Sequence, residues 1–201
     1  MGKRLGDLGK ITPKCLIKIG DKPIIEYQIE ALKSNNIEDI IIVVGYQASR
    51  VREALKNKGI RFYLNKNYET TGMLESIFCA KDELNGDIIL IYGDVVFKAD
   101  LIKKILRNRD DFCLVIDGKK GVKGDTQVRI VNDTIKEISK NMPQEKSSGK
   151  YIGIAKFSKK AIKIIHNRIK LLIDNGEIKK YPSPSYLLKW LIGNGNTINA
   201  V

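Results

Sequence analysis

Residues 23–44, PIIEYQIEALKSNNIEDIIIVV, predict a helix followed directly by a buried strand. Pro23 stands where helices commonly begin, and Asn35 and Asn36 end the helical pattern. The apolar residues of the helix recur at the spacing of one helical face: Ile24, Ile25, Ile29 and Leu32. The run Ile40–Val44 is continuously apolar, which is typical of a strand covered on both faces of a sheet. A helix that leads into such a strand is the repeating unit of α/β folds, and this stretch therefore sets the expected fold class.

Further apolar runs and helical patterns continue the alternation. Three more runs predict buried strands: Ile88–Tyr92, Phe112–Ile116 and Tyr151–Phe157. Two more helical patterns, within 48–59 and 72–86, stop at glycines. The order of strands and helices predicts an α/β fold with a largely parallel sheet.

The segment 125–140 has a different character. It places Asn132 and Asp133 between two alternating stretches, which predicts a β-hairpin and hence an antiparallel excursion from the sheet. The polar stretch 141–150 that follows, with Pro143 and Gly149, predicts a loop.

Length and composition indicate a soluble globular protein. The 201 residues suit a single domain spanning 1–201, and the 43% apolar and 29% charged residues are ordinary for such a domain. No apolar run is long enough for a membrane span and the start is not signal-like, so we expect a cytoplasmic protein without a membrane partner. Cys15, Cys79 and Cys113 are widely spaced and predict free thiols. His166, the only histidine, lies in an apolar-periodic stretch, which favours a packing or surface role.

The net charge of +13 invites a nucleic-acid interpretation. The lysines are scattered, and between Lys150 and Lys189 they alternate with apolar residues as on the exposed face of a helix. The sequence contains no basic run interleaved with aromatic residues and no RNA-recognition signature. An anionic small substrate explains the charge at least as well, and nucleic-acid binding is the weaker alternative.

Residues that could bind phosphate or a metal ion lie after one predicted strand and near the amino terminus. Asp94 follows Ile88–Tyr92, and ligands of open α/β sheets bind at the carboxyl ends of strands, where a carboxylate can hold Mg²⁺ beside phosphate oxygens. Near the amino terminus, Gly2 allows close approach to a phosphate, while Arg4 and Lys14 supply positive charge. Transfer at phosphorus needs such positive charges and a metal ligand, because the protein mainly positions the phosphates and offsets their negative charge. The structural alternative stays open. Asp94 would then lie in an ordinary turn, and Arg4 and Lys14 would belong to a solvated basic terminus.

Six stretches, in order along the chain, resemble the signatures of the nucleotidyltransferase superfamily, which makes nucleotide-activated sugars and alcohols. They are GKRLGDLGKITPKCLIKIGDKPIIEYQIEAL (2–32), IIIVVGYQ (40–47), NKNYETTGMLESI (65–77), IYGDVVF (91–97), IKEISKNMP (135–143) and GKYIGIAKFS (149–158). The last two are most similar to the phosphocholine and phosphonate cytidylyltransferases. The resemblance implies a Rossmann-like three-layer α/β/α sandwich of the nucleotide-diphospho-sugar transferase type, with a mostly parallel sheet and an antiparallel excursion.

The resemblance also implies a reaction and its residues. An acceptor phosphate or phosphonate oxygen would attack the α-phosphorus of an NTP, with CTP favoured, and release pyrophosphate in the presence of Mg²⁺. The acceptor would be a small phosphorylated alcohol, a phosphonate or a sugar 1-phosphate, and a homo-oligomer is compatible with the sequence. The implied roles are catalytic for Arg4 and Lys14, nucleotide-binding for Gly2, Arg4, Lys14, Thr71, Gly72 and Ser76, acceptor-binding for Lys140 and Gly153, and metal-binding for Asp94.

The sequence departs from the family pattern at both ends. The family's first strand and its carboxyl-terminal metal-binding segment are expected to be missing from residues 1–201. This leaves two alternatives open, a degenerate nucleotide-binding domain without turnover and a glycosyltransferase of related fold. The second is less favoured, because glycosyltransferases usually carry an Asp-x-Asp pair and Val96 stands where its second carboxylate would be.

Overall fold

The structure, a computed structural model, describes residues 12–122, 124–181 and 183–201. Gly2 and Arg4 lie outside the described residues. The helices are α1 (Ile24–Lys33), α2 (Ala48–Ala54), α3 (Met73–Cys79), α4 (Asp100–Arg107), α5 (Lys159–Asp174) and α6 (Pro184–Gly193). The strands are β1 (Lys18–Ile19), β2 (Lys22–Pro23), β3 (Ile41–Val44), β4 (Arg61–Leu64), β5 (Ile88–Ile91), β6 (Phe112–Asp117), β7 (Gln127–Val131), β8 (Thr134–Ser139), β9 (Gly149–Phe157) and β10 (Asn199–Ala200).

The main sheet is mixed. Its strands are ordered β5-β9-β6-β10-β8-β7, and β7 also pairs with the start of β9, so the sheet closes on itself. The long strand β9 runs antiparallel to both β5 and β6, and the parallel pairs in the described chain are β6 with β10 and β3 with β4. The prediction of an α/β fold is thus confirmed, but a mostly parallel sheet is not what the described strands form.

Most predicted elements are present. The helix at 23–36 is α1, and the four predicted strands correspond to β3, β5, β6 and β9. The hairpin is β7–β8, and Asn132 and Asp133 both have positive φ, +49° and +59°, as a two-residue turn between right-twisted strands requires. The helices predicted within 48–59 and 72–86 end early, at Ala54 and Cys79, and the short strand β4 was not predicted.

Three packed regions hold the elements together. In the largest, α3, α5 and α6 cover strands β6 to β9, with fully buried residues such as Leu74, Leu114, Ile138, Ile165 and Leu191. In the second, α1 and α2 pack on β3. The third is small and packs α4 on β6 and β9. The described part of the chain contains no helix with the length and apolar character to cross a membrane.

Strands β3 and β5 face each other across an apolar slot of about 930 Å³. Within the described residues, β3 has a strand partner only in β4 and β5 only in β9. Arg61, at the start of β4, pairs with Asp39 before β3 and with Glu83 in the turn that precedes β5, so the chain enters the three strands from the same edge. Their carboxyl ends therefore lie at one edge, where the predicted ligand site was expected.

Candidate active site

Lys14 and Asp94, predicted from separate motifs 80 residues apart, form an ion pair. The Lys14 Nζ lies 2.8 Å from Asp94 Oδ2. Lys14 begins a single 3₁₀ turn (Lys14–Leu16) entered through the extended Pro13, and Asp94 stands in the turn that leaves β5. This contact joins a compact positive charge and a carboxylate at the carboxyl edge of the sheet, the combination expected for phosphate and metal binding.

The ion pair is accessible to a ligand. The two side chains retain 41% and 40% of their exposure, and a pair this exposed contributes about 0 to 1 kcal/mol to stability. Beside it, burial raises the pKa of the Cys15 thiol, and the Asp94 carboxylate adds to that rise. Cys15 packs against the core of α1, α2 and β3, and a raised thiol pKa is typical of such a packing position.

Gln28 on α1 fastens the turn that carries Asp94. Its side chain is 4% exposed, and its Nε2 donates to the carbonyl oxygens of Tyr92 at 2.9 Å and Val95 at 2.6 Å. Sequence reasoning missed this residue. The signal was a glutamine on the apolar face of α1, between Ile24 and Leu32 at four-residue spacing, where a buried amide requires partners.

The predicted nucleotide-binding residues Thr71, Gly72 and Ser76 lie at the start of α3. Asn65, directly after β4, is 2% exposed and joins two of them, since its Nδ2 lies 3.3 Å from Thr71 Oγ1 and 3.1 Å from Ser76 Oγ. Its Oδ1 accepts from the Asn67 amide at 2.9 Å. Asn65 was not predicted, because the strand that precedes it was not recognised.

The two predicted acceptor-binding residues are placed differently. Lys140 is exposed, one residue beyond β8. Gly153 is buried within β9 and accepts a hydrogen bond from the Tyr92 amide at 2.9 Å. A Cβ at this glycine would lie 2.3 Å from the Tyr92 ring, so Gly153 packs against the residue two before Asp94.

The half-buried Tyr92, at the start of the turn, packs against the buried Tyr151. Their rings meet edge to face at 5.7 Å. Burial raises the pKa of both hydroxyls well above the usual range for tyrosine, and Asp94 contributes to the rise at Tyr92. The two rings thus pack, uncharged, beside the start of the turn that holds Asp94.

The metal-ligating groups of the described residues are sparse. Among them, no group of three or more His, Cys, Asp or Glu side chains is arranged to hold a metal ion. A single accessible carboxylate such as Asp94 suits Mg²⁺, which keeps several waters and is commonly held by one or two carboxylates and the substrate's phosphates. The same donor set would not make a structural zinc site.

Comparison with known proteins gives consistent matches. Residues 1–143 match the MobA-like NTP transferase domain. The chain is 31% identical to the CTP:phosphoglutamine cytidylyltransferase of Campylobacter jejuni over 175 residues, covering 78% of this chain and 69% of that protein. It is 36% identical to the choline-phosphate cytidylyltransferase of Streptococcus pneumoniae over 98 residues, covering 49% of this chain and 43% of that one.

A solved structure of a related protein has a similar fold. The solved structure of the CTP:phosphocholine cytidylyltransferase of Streptococcus pneumoniae superposes with a TM-score of 0.76 at 24% identity, over 100% of this chain and 84% of that chain. This likeness assigns the fold of the nucleotide-diphospho-sugar transferase type, with its mixed sheet.

Proposed function

Because the chain belongs to the MobA-like NTP transferase domain family, we propose that it is a cytidylyltransferase acting on a small phosphorylated acceptor. The observation that carries the proposal is the Lys14–Asp94 pair, 2.8 Å apart and accessible at the carboxyl edge of the strands. The names of the two curated relatives support CTP as the nucleotide and a phosphorylated alcohol or amide as the acceptor class.

The reaction is a substitution at the α-phosphorus of CTP. An oxygen of the acceptor's phosphate or phosphonate forms a bond to that phosphorus. The bond to the bridging oxygen of the β-phosphate breaks, and pyrophosphate leaves with the electron pair. Because the acceptor oxygen is already ionised at neutral pH, no side chain has to remove a proton, which suits a site without a histidine nearby.

The residues of the site would act by position and charge. The Lys14 ammonium would exchange its contact with Asp94 for the phosphate oxygens and offset the negative charge that develops during the attack. Arg4 and Gly2, outside the described residues, would hold the triphosphate. Thr71, Gly72 and Ser76 would lie near the base.

The acceptor and the metal would use the remaining predicted residues. Lys140 would lie near the acceptor and attract it by its charge. Gly153 would also lie near the acceptor and would fix the position of Tyr92 at the start of the turn. Asp94 would hold Mg²⁺. When bound, the ion draws charge from the phosphate oxygens and orients the triphosphate.

Pyrophosphate release from the full chain tests the proposal. CTP, UTP, ATP and GTP would each be paired with phosphocholine, glucose 1-phosphate and an aminoalkylphosphonate in the presence of Mg²⁺. We expect CTP to be used best. Lys14→Met and Asp94→Asn should each lower kcat/KM by about 100-fold or more, the usual cost of losing one group that stabilises developing charge.

The helix α5 supplies a matched control. Lys170 and Asp174 form a similarly exposed pair, with Nζ 2.6 Å from Oδ2, on a helix that carries none of the proposed site residues. Lys170→Met and Asp174→Asn should leave the rate unchanged. A folded chain that releases no pyrophosphate with any substrate pair would disprove the proposal. A rise in melting temperature with CTP but without turnover would instead identify a nucleotide-binding domain.

A further inference from the structure

We propose that Gln28 is the positioning residue of the site, holding the Asp94 carboxylate where metal and nucleotide meet it. This inference rests on the proposed function, since it assumes that Asp94 binds the metal. Gln28 touches neither substrate nor metal in this assignment and acts through the turn that carries Asp94.

The hydrogen-bond geometry supports this assignment. Asp94 is the third residue of the turn Tyr92–Val95, which is closed by a single hydrogen bond from the Val95 amide to the Tyr92 carbonyl at 3.3 Å. Such a long bond holds a turn weakly. The Gln28 amide donates to the carbonyls of both end residues, at 2.9 Å and 2.6 Å, and so fixes the ends that the turn's own bond leaves loose.

The choice of side chain is specific. An amide nitrogen offers two hydrogens, and here each one satisfies a carbonyl, in a position that is 4% exposed. An apolar replacement would remove this donor from both half-buried carbonyls and leave the Tyr92 carbonyl with only the long bond from the Val95 amide. The turn would then relax, and Asp94 would sample several orientations.

Helix α1 also sets the position of the opposite charge. The Ile24 amide, in the first turn of α1, donates to the Ile17 carbonyl at 2.9 Å, directly after the 3₁₀ turn that begins with Lys14. One helix thus contacts the Asp94 turn and the residue that ends the 3₁₀ turn of Lys14. Gln28 is the α1 side chain that reaches the Asp94 turn, and its loss should change the geometry between the two charges.

The test compares Gln28→Met with Gln127→Met in the full chain. Gln127 is a matched control, since it is 3% exposed and its Nε2 donates to one buried carbonyl, that of Met142 at 3.1 Å, on β7. Both variants lose buried amide hydrogen bonds and some stability. Only Gln28→Met should change the position of the Asp94 carboxylate.

Two measurements separate positioning from simple destabilisation. Mn²⁺ affinity with CTP present, followed by electron paramagnetic resonance, should weaken by about tenfold in Gln28→Met, as for residues that orient a metal ligand, and not in Gln127→Met. Hydrogen exchange of a peptide spanning 92–96 should accelerate by about tenfold in Gln28→Met alone.

The outcomes distinguish the two proposals. If the wild-type chain binds no Mn²⁺, or binds it equally well as Asp94→Asn, the metal role of Asp94 is disproved, and the exchange data alone judge whether Gln28 holds the turn. If Asp94→Asn loses Mn²⁺ but Gln28→Met binds it as tightly as wild type, the positioning role is overturned. Unchanged exchange at 92–96 in Gln28→Met overturns it as well.

Discussion

The contact between Gly153 and Tyr92 explains a glycine in the middle of a long strand. Gly153 has φ +86°, a conformation that other residues adopt only with strain, and a Cβ there would lie 2.3 Å and 2.4 Å from two atoms of the Tyr92 ring. The ring cannot move aside freely, because Tyr151 packs edge-on against it. The absence of a side chain at Gly153 therefore sets how closely β9 approaches the residue that begins the Asp94 turn.

Gly153→Ala should lower the free energy of unfolding by about 3 kcal/mol, through backbone strain and overpacking together. Urea unfolding measures the loss. Gly176→Ala is the matched control, since Gly176 has φ +68° but no described atom within 4 Å of its added Cβ, so it should cost only about 1 kcal/mol. Equal losses in the two variants would show that the contact with Tyr92 is not tight.

At the scale of elements, Asn65 fixes the start of α3 to the end of β4. Gly72, which precedes the helix, offers no side chain for a cap, and the buried Asn65 amide instead bonds to the hydroxyls of Thr71 and Ser76. These hydroxyls belong to the segment proposed to lie near the base. The Asn65 amide therefore shares in holding that segment with Asn67, which bonds to Thr71 and Glu75.

Asn65→Ala should lower stability by about 2 kcal/mol and also reduce the rise in melting temperature that CTP produces. Asn35→Ala is a suitable comparison. The Asn35 Nδ2 likewise links two segments, donating to Ala31 at 2.8 Å and Ala99 at 3.1 Å, but it lies between the end of α1 and the start of β3 and bonds to none of the proposed site residues. Asn35→Ala should lower the free energy of unfolding but keep the full rise in melting temperature that CTP produces. If both variants lose that effect equally, Asn65 has no particular link to the nucleotide.

At the scale of the whole molecule, the sequence predicted local features better than relations between distant segments. Ile88–Tyr92 was recognised as a strand because a buried strand needs an unbroken apolar run. Asp94 and Lys14 were singled out because their charges suit metal and phosphate, and those roles stay predictions. The direction of β9 was not predictable, since YIGIAKF is equally apolar in either orientation. Gln28 and Asn65 were missed for a related reason. An amide becomes informative only when the carbonyls and hydroxyls it contacts are known.

The closed, mixed sheet removes a thiol and two tyrosine hydroxyls from water, and this burial disfavours their ionised forms. Burial raises the pKa of the Cys113 thiol, on β6, to about 11, and raises the pKa values of the Tyr92 and Tyr151 hydroxyls further. The ordinary values, 9.0 for a thiol and 10.0 for tyrosine, apply once the chain unfolds. The unfolded chain therefore releases these protons at lower pH than the native one, and rising pH favours unfolding.

The free energy of unfolding should thus be constant near pH 8 and fall above about pH 9, by up to about 1.4 kcal/mol per pH unit for each group that ionises only in the unfolded chain. Urea unfolding followed by circular dichroism between pH 8 and pH 11 gives the slope. Cys113→Ala creates a small cavity and lowers stability at every pH, but it should remove the part of the slope between pH 9 and pH 11. Tyr92→Phe should reduce only the decline above pH 10. A wild-type stability that stays flat to pH 11, or a slope that Cys113→Ala leaves intact, would mean that the sheet around β6 opens to solvent without global unfolding.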